Sequence, residues 1–329
     1  MRRAQRKRTS FRRQRRNVRR LVVDTWDMTL VTVVIPTRDR LQYAHAAVAT
    51  ALAQEEVPVQ VIVVDDGSSE PVVPALADDP RVRVVRHETS RGVAGARNAG
   101  IDAATGEWIA FLDDDDLWHP RKLRDQLDAA ARADADWVFG GALVVDDAGA
   151  EIAHMPAPDD AAGLLDALLV ENPVPAGASN VLARATVVRE LGRFDEDLAH
   201  FADWLLWIRL AARGAPAVVT HPVLAYVHHG ANMHADAAIS GRAELPLLAA
   251  RVLAATGLVV DTGGMETWMA YGEHVSGRNW SAAGVAARGA LRRRSLPLAR
   301  QAVGMVGHGL GLRGRGRRVM APEWARPKG

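Results

Sequence analysis

Four consecutive carboxylates, Asp113-Asp114-Asp115-Asp116, stand directly after the apolar run Trp108-Ile109-Ala110-Phe111-Leu112. Such a run reads as a buried strand, and the charges begin where it ends. Carboxylates this close repel one another unless a cation holds them. A hard divalent ion with oxygen ligands is one suitable partner, and such an ion keeps positions open for a substrate phosphate. A solvated acidic turn capping the next helix is the other reading. The cluster alone does not choose between them.

Two further polar clusters end apolar runs in the same way. Val31 to Ile35 is a short β-branched run followed by Pro36-Thr37-Arg38-Asp39, and Val59 to Val64 runs into Asp65-Asp66-Gly67-Ser68-Ser69. Both read as buried strands. Val82 to Val85, Glu107 to Leu112 and Trp137 to Val145 are further strands. Helices are expected over Tyr43 to Leu52, Gly92 to Ala104 and Pro120 to Ala133, the last with proline in its first turn. Strands and helices alternating at these lengths argue for a parallel α/β sheet. In such sheets ligands bind at the carboxyl ends of the strands, where all three clusters fall. Beyond residue 150 the pattern loosens. Ala153 to Gly163 reads as a loop, and Val181 to Leu191 as a strand and a short helix. Ala202 to Arg213 reads as a helix with Gly214 in the C′ position. Val218 to Val219 and Val223 to Val227 read as two short strands, with a helical, then Gly- and Arg-rich, stretch from Ala231 onward.

The bulk composition bounds the function. At 329 residues, 48% hydrophobic and 24% charged, the chain is an ordinary globular one able to bury a sizeable core. It has no cysteine, which excludes disulfides, thiolate nucleophiles and Cys-ligated zinc. No apolar run reaches the roughly 18 residues of a membrane span, and no apolar segment of a secretory signal follows the basic N-terminus. A cytoplasmic protein is expected, peripheral on the inner face of the membrane. The net charge of +2 hides an asymmetry: residues 1–20 hold eleven Arg or Lys and no acid, and Glu323 is the only acid between Arg288 and Lys328. Basic ends bind anionic lipid or nucleic acid, or are simply solvated tails. Met28 directly precedes the first strand, so translation starting at Met28 is one expectation; an intact native mass that includes residues 1–27 would sink it.

In order along the chain, Val33-Val34-Ile35-Pro36-Thr37, Val63-Val64-Asp65-Asp66-Gly67-Ser68 and Arg91-Gly92-Val93-Ala94-Gly95-Ala96-Arg97-Asn98-Ala99-Gly100-Ile101 are followed by Gly106 to Asp116 and Trp118-His119-Pro120. Gly192-Arg193-Phe194-Asp195-Glu196 and Asp203-Trp204-Leu205-Leu206-Trp207-Ile208-Arg209-Leu210 come after them. Each motif is weak alone, but the ordered set resembles the family 2 inverting glycosyltransferases with the GT-A fold, over roughly residues 30–232. The resemblance implies an α/β fold in which a Rossmann-like, mainly parallel central sheet is flanked by helices. The expected organisation is a basic, disordered leader at 1–28, a GT-A domain at 29–232, and a helical, basic C-terminal extension at 233–329.

The resemblance also implies roles. Asp113 and Asp115 fall on the family's D-x-D position, with Asp115 the direct ligand of Mn2+ or Mg2+ and Asp113 beside the ribose or the ion. Asp114 is placed against the donor or in the ion's surroundings. Asp66, with Asp65, falls on the base-reading carboxylate; an Asx-turn before Gly67 is an equally good reading of the same residues. Pro36, Thr37, Arg38 and Asp39 match the first nucleotide loop. There Arg38 stands where the family often has an aromatic residue, and its planar guanidinium can replace the stack. Arg91 and Arg97 face donor phosphate or base, and Arg97 reads equally well as a structural ion-pair partner. The family's general base is the aspartate of an acidic pair opening a Trp-rich helix. Here the pair reads Ala202-Asp203, so Asp203 is the expected catalytic base and the first acid is missing. Trp204 and Trp207 read as core before sugar platform. Tyr226-Val227-His228-His229 resembles a Tyr-Arg-x-His pattern, which puts His229 at metal or diphosphate, with Val227 departing from it.

The function implied is transfer of a sugar from a nucleoside-diphosphate sugar, a UDP-sugar first, to a hydroxyl acceptor on a cell-envelope or lipid-linked glycan or a small molecule. The basic C-terminal segment suits peripheral contact with an anionic membrane. A degenerate, non-catalytic nucleotide-sugar-binding protein is one alternative. Nucleic-acid binding through the basic ends is another, opposed by the acidic centre and the few aromatics near those ends. A sugar-phosphate nucleotidyltransferase would need a Gly-rich basic loop after the first strand, which Pro36-Thr37-Arg38-Asp39 is not.

Overall fold

The computed structural model describes residues 29–72, 79–159, 161–229, 234–266, 269 and 320–327. The basic leader and most of the basic C-terminal segment lie outside the described residues. Among the described residues nine strands form one sheet. In chain order they are β1 (Val31–Thr37), β2 (Val59–Asp65), β3 (Val82–Arg86), β4 (Trp108–Phe111), β5 (Leu117–Trp118), β6 (Trp137–Asp146), β7 (Glu151–Met155), β8 (Leu182–Arg184) and β9 (Ala217–His228). The helices are α1 (Leu41–Leu52), α2 (Gly92–Ala103), α3 (Lys122–Ala133), α4 (Leu164–Leu168), α5 (Ala185–Glu190), α6 (Ala202–Arg213) and α7 (His234–Thr256).

The sheet runs β3-β2-β1-β4-β8-β6-β9-β5, with β7 paired to β6. The first four strands are parallel. Strand β8 enters antiparallel between β4 and β6, whereas β6 and β9 are again parallel. The sheet is therefore mixed, with its parallel half built from the βαβ segment that the sequence pattern picks out. Strand order reverses at β1, which has β2 on one side and β4 on the other. That reversal opens a crevice at the carboxyl edge.

Every residue of β1 is buried, and so β1 reads as a continuous β-branched run rather than an alternation. The pleat still sorts its side chains. Val31, Val33 and Ile35 join α1 and α3 in one core, while Val34 joins α2 and α6 in the other. Strand β2 repeats this, with Val61 and Val63 on the first face and Ile62 and Val64 on the second. Gly100 lets α2 lie close on the sheet, because a Cβ there would stand 2.2 Å from Val34 Cγ1.

Several sequence expectations are corrected. The loop expected over Ala153 to Gly163 begins as strand β7, which pairs with β6 yet leaves most of its side chains exposed. The two short strands expected after residue 217 are one strand, β9, whose register against β6 shifts around Gly141 and Pro222. Helix α3 begins at Lys122, two residues past Pro120. Gly214 ends α6 with extended backbone, φ −175° and ψ 152°, instead of a left-handed cap. Trp204 and Trp207 are buried in the core. Among the described residues no helix is long and apolar enough to cross a membrane.

Candidate active site

The three polar clusters meet at the crevice. The register sets Thr37 beside Asp65 at the ends of β1 and β2, and the Asp66 amide donates to the Thr37 carbonyl at 2.9 Å. Thr37 Oγ1 donates to Asp114 Oδ2 at 2.7 Å, which ties the first loop to the acidic one. The Asp39 amide donates to Ser68 Oγ at 2.9 Å, and the Ser69 amide donates back to Asp39 Oδ1 at 2.7 Å. Asp39 itself has φ +54°, a conformation that a short polar side chain able to bond locally tolerates best. Pro36 lies in the buried end of β1, and Arg38 points outward, paired loosely with Asp39 at 3.8 Å.

Asp65 and Asp66 hold this edge together. Asp65 is fully buried, accepts from the Ser68 and Val72 amides and pairs with Arg86. Burial works to raise its pKa, but the Ser68, Val72 and Arg86 hydrogen bonds outweigh it and hold the carboxyl below its usual value. Asp66 Oδ1 accepts from His87 Nδ1 at 2.7 Å and the Arg91 amide at 2.9 Å. Its Oδ2 accepts from Ser90 Oγ at 2.6 Å and the Gly92 amide at 2.9 Å. Arg91 is the N-cap of α2 and has no side-chain cap of its own. Asp66 supplies that cap from the loop after β2, which leaves little of its hydrogen-bonding capacity for a nucleobase.

Helix α2 in turn aims Arg97. Its Nη2 donates to Asp113 Oδ1 at 2.6 Å, the guanidinium lies 5.3 Å from the Phe194 ring centroid, and the side chain is 7% exposed. The ion-pair reading of Arg97 is therefore the one the structure adopts. Arg91 leans outward instead, to Glu196 Oε2 at 2.8 Å.

The acidic loop distributes its four carboxylates to different partners. Asp113 goes to Arg97. Asp114 takes Thr37 and, at 3.2 Å, Arg40 Nη1. Asp115 Oδ2 takes Arg40 Nη2 at 2.5 Å and lies 3.1 Å from His229 Nε2. Asp116 is buried and accepts from the Val227 amide at 3.3 Å. Burial first, and Asp115 second, push the Asp114 pKa up to about 7. Burial also raises that of Asp116. Asp115 moves the other way: burial opposes its charge, but His229 and Arg40 stabilise it more and lower its pKa. His229 and Arg40 thus favour the ionised form of Asp115, while Asp113 faces Arg97.

Asp115 and His229 stand together, whereas Asp113 pairs with Arg97 instead. Among the described residues no three His, Asp or Glu side chains are grouped to hold an ion as they stand. The donor chemistry nevertheless fits a divalent cation. A carboxylate oxygen and an imidazole nitrogen face one spot, and the cation now there is a guanidinium whose buried Nε finds no hydrogen-bond acceptor among the described residues.

The 3-10 turn Gly177–Asn180 links the acidic loop to Asp203. The Asp113 amide donates to Ser179 Oγ at 3.0 Å, and Trp118 Nε1 donates to the Ser179 carbonyl at 2.9 Å. Asn180 bonds both the Gly140 amide and carbonyl. Gly177 has φ +53°, and a Cβ there would sit 3.1 Å from Asp203 Oδ2. Asp203 lies in the first turn of α6, where the helix dipole favours the ionised carboxylate. Its Oδ1 accepts from the Trp204 amide at 2.6 Å. The residue before it, Ala202, is buried. Sequence reading passed over Arg40, Ser179 and Tyr43, whose ring stacks on His229 at 5.0 Å. Arg40 directly follows the loop Pro36 to Asp39, and a cation adjoining a phosphate-side loop was the available signal.

Comparison with known proteins gives consistent matches. A model described as Glycosyl transferase family 2 matches residues 32–192. The succinoglycan biosynthesis protein ExoO of Rhizobium meliloti is 35% identical over 210 residues, 60% of each chain. An Escherichia coli protein named UDP-Glc:alpha-D-GlcNAc-diphosphoundecaprenol beta-1,3-glucosyltransferase WfgD is 29% identical over 121 residues, 36% of this chain and 48% of that one. The chain thus spans 60% or less of the length of these curated relatives. S. aureus TarS 1-349 in complex with UDP-GlcNAc superposes with a TM-score of 0.56 at 17% identity, covering 86% of this chain and 81% of that one. The mannosyltransferase PcManGT from Pyrobaculum calidifontis, in complex with GDP-Man and Mn2+, gives 0.53 at 21% identity, with 86% and 80% covered.

Proposed function

Residues 32–192 are a domain of glycosyl transferase family 2, and on that premise we propose that the protein is a metal-dependent inverting glycosyltransferase. Its donor is a nucleoside-diphosphate sugar, a UDP-sugar first, and its acceptor a hydroxyl on a cell-envelope or lipid-linked glycan. The observation that carries this reading is the convergence of Thr37, Asp66 and Asp113 to Asp116 on one strand edge, joined through Ser179 and Gly177 to Asp203. The names of ExoO and WfgD support the acceptor class, and the ligands of TarS and PcManGT support the donor class.

Asp115 and His229 would hold Mn2+ or Mg2+, with Asp113 joining if it turns from Arg97. A bound ion supplies Lewis-acid neutralisation of the diphosphate as it leaves. Arg97 keeps a fixed positive charge at the crevice, and Thr37 and Ser179 hold the acidic loop in place. Asp203 accepts the proton of the acceptor hydroxyl as that oxygen attacks the anomeric carbon, and a single displacement inverts the configuration. The basic C-terminal segment provides peripheral contact with an anionic membrane on the cytoplasmic side.

Thermal shift and donor hydrolysis with a panel of UDP-, GDP- and dTDP-sugars, each with and without Mn2+, test the proposal. At least one nucleotide sugar should stabilise the protein in a Mn2+-dependent way. No metal-dependent stabilisation by any of them defeats it.

A further inference from the structure

Arg40 occupies the spot where the donor set would place an ion. Its two terminal nitrogens reach different carboxylates, Nη1 to Asp114 Oδ1 at 3.2 Å and Nη2 to Asp115 Oδ2 at 2.5 Å. An arginine matched to one carboxylate uses both nitrogens on it in a fork. Bridging two carboxylates is instead the contact that a bound cation makes.

The hydrogen bonding around this guanidinium is incomplete. His229 Nε2 lies 3.2 Å from Arg40 Nη2 and 3.1 Å from Asp115 Oδ2. The guanidinium only donates and an ionised carboxylate only accepts, so one imidazole nitrogen bonds just one of them, and the contact between Arg40 and Asp115 serves the other. An ion at this point would take the imidazole lone pair and the carboxylate oxygen together. Among the described residues, moreover, the buried Arg40 Nε finds no hydrogen-bond partner.

The side chain can leave without moving the fold. The Arg40 carbonyl is fixed by the Tyr43 and Ala44 amides at the start of α1, at 3.0 and 3.2 Å. The side chain is 25% exposed and rests beside the Tyr43 ring, 5.1 Å from its centroid. It has a path to solvent that Arg97, at 7%, lacks.

We propose that Arg40 is a resident counter-cation that neutralises Asp115 and contacts Asp114 in the nucleotide-free protein and must be displaced for a divalent ion to bind to Asp115 and His229. The proposal rests on the metal-dependent reading above. It makes Arg40 a residue that sets metal affinity, and so the nucleotide-free protein holds ions weakly. Where the binding-competent state is a minor one, apparent affinity falls by its population; if Arg40 holds the spot more than nine-tenths of the time, removing it tightens ion binding at least about tenfold.

The test is titration of Mn2+ alone, without nucleotide, followed by electron paramagnetic resonance of the free ion, on wild type, Arg40→Gln and Arg40→Lys. Circular dichroism checks that each variant is folded. Arg40→Gln should bind Mn2+ at least about tenfold tighter than wild type. Arg40→Lys should fall between them, because an ammonium on a flexible stem lacks the pre-organised fork that holds both carboxylates. If wild type binds Mn2+ and Arg40→Gln binds it equally or more weakly, the inference is overturned and the metal reading stands. If neither binds Mn2+, both fall. Should Arg40→Gln not fold, Arg40→Lys carries the test, and a Mn2+ affinity no tighter than that of wild type overturns the inference.

Discussion

Replacing Asp66 by alanine separates two roles for that residue, holding helix α2 and reading a nucleobase. The carboxylate takes the Arg91 and Gly92 amides, Ser90 Oγ and His87 Nδ1, all within 2.9 Å. It is the acceptor for the first turn of a helix with no side-chain cap of its own. Losing a cap costs about 1 kcal/mol. Leaving further part-buried donors without an acceptor adds about 1–3 kcal/mol. Asp66→Ala should therefore lose about 2–4 kcal/mol in urea unfolding at pH 7, with the m-value unchanged. Because α2 carries Arg97, the Arg97–Asp113 pair should loosen and nucleotide affinity should fall as a consequence. A variant within about 0.5 kcal/mol of wild type, the range of ordinary surface substitutions, that still loses nucleotide would refute the capping argument and leave Asp66 as a base reader.

Further outcomes follow from the same geometry. The folded state keeps the Asp114 proton up to about pH 7, whereas the unfolded chain releases it near the ordinary aspartate value of 3.8. The folded state thus binds more protons between those values, and stability falls as pH rises through that window. Asp114→Asn should remove this loss, so its stability relative to wild type should climb between pH 4 and 7; a pH-independent difference in urea midpoint contradicts the assignment. Gly177→Ala places a side chain at φ +53° and 3.1 Å from Asp203 Oδ2. It should cost about 1–2 kcal/mol of stability and depress turnover further by shifting Asp203, measured as kcat beside urea unfolding. Asp203→Asn should lower kcat by about 10²–10⁴ while calorimetric nucleotide affinity stays at the wild-type value.

Much of the first half of the fold is legible because its strands are buried on both faces. Val31 to Ile35 and Val59 to Val64 read as unbroken β-branched runs, and the structure extends them by only one or two residues. The three acidic and polar clusters converge as expected because they end adjacent parallel strands. Strand β7 was not legible, since most of its side chains are exposed and Glu151-Ile152-Ala153-His154-Met155 carries no clean alternation. Strand β9 read as two pieces because Pro222 interrupts a ladder that the chain bridges with a register shift. The turn Gly177–Asn180 has no periodicity to find. Its importance lies in contacts to Asp113, Trp118 and Asp203 that are remote in sequence. Arg40 was missed for the same reason, as its partners Asp115 and His229 stand 75 and 189 residues away.

On the function proposed above, the Asp113 to Asp116 loop is the ion and diphosphate end of a nucleotide-sugar site. Calorimetric titration of UDP into wild type and Asp115→Asn, each with and without Mn2+, tests it most directly. UDP should bind wild type only with Mn2+ present, and Asp115→Asn should stay folded and lose that binding. UDP binding that is indifferent both to Mn2+ and to Asp115→Asn would contradict the claim.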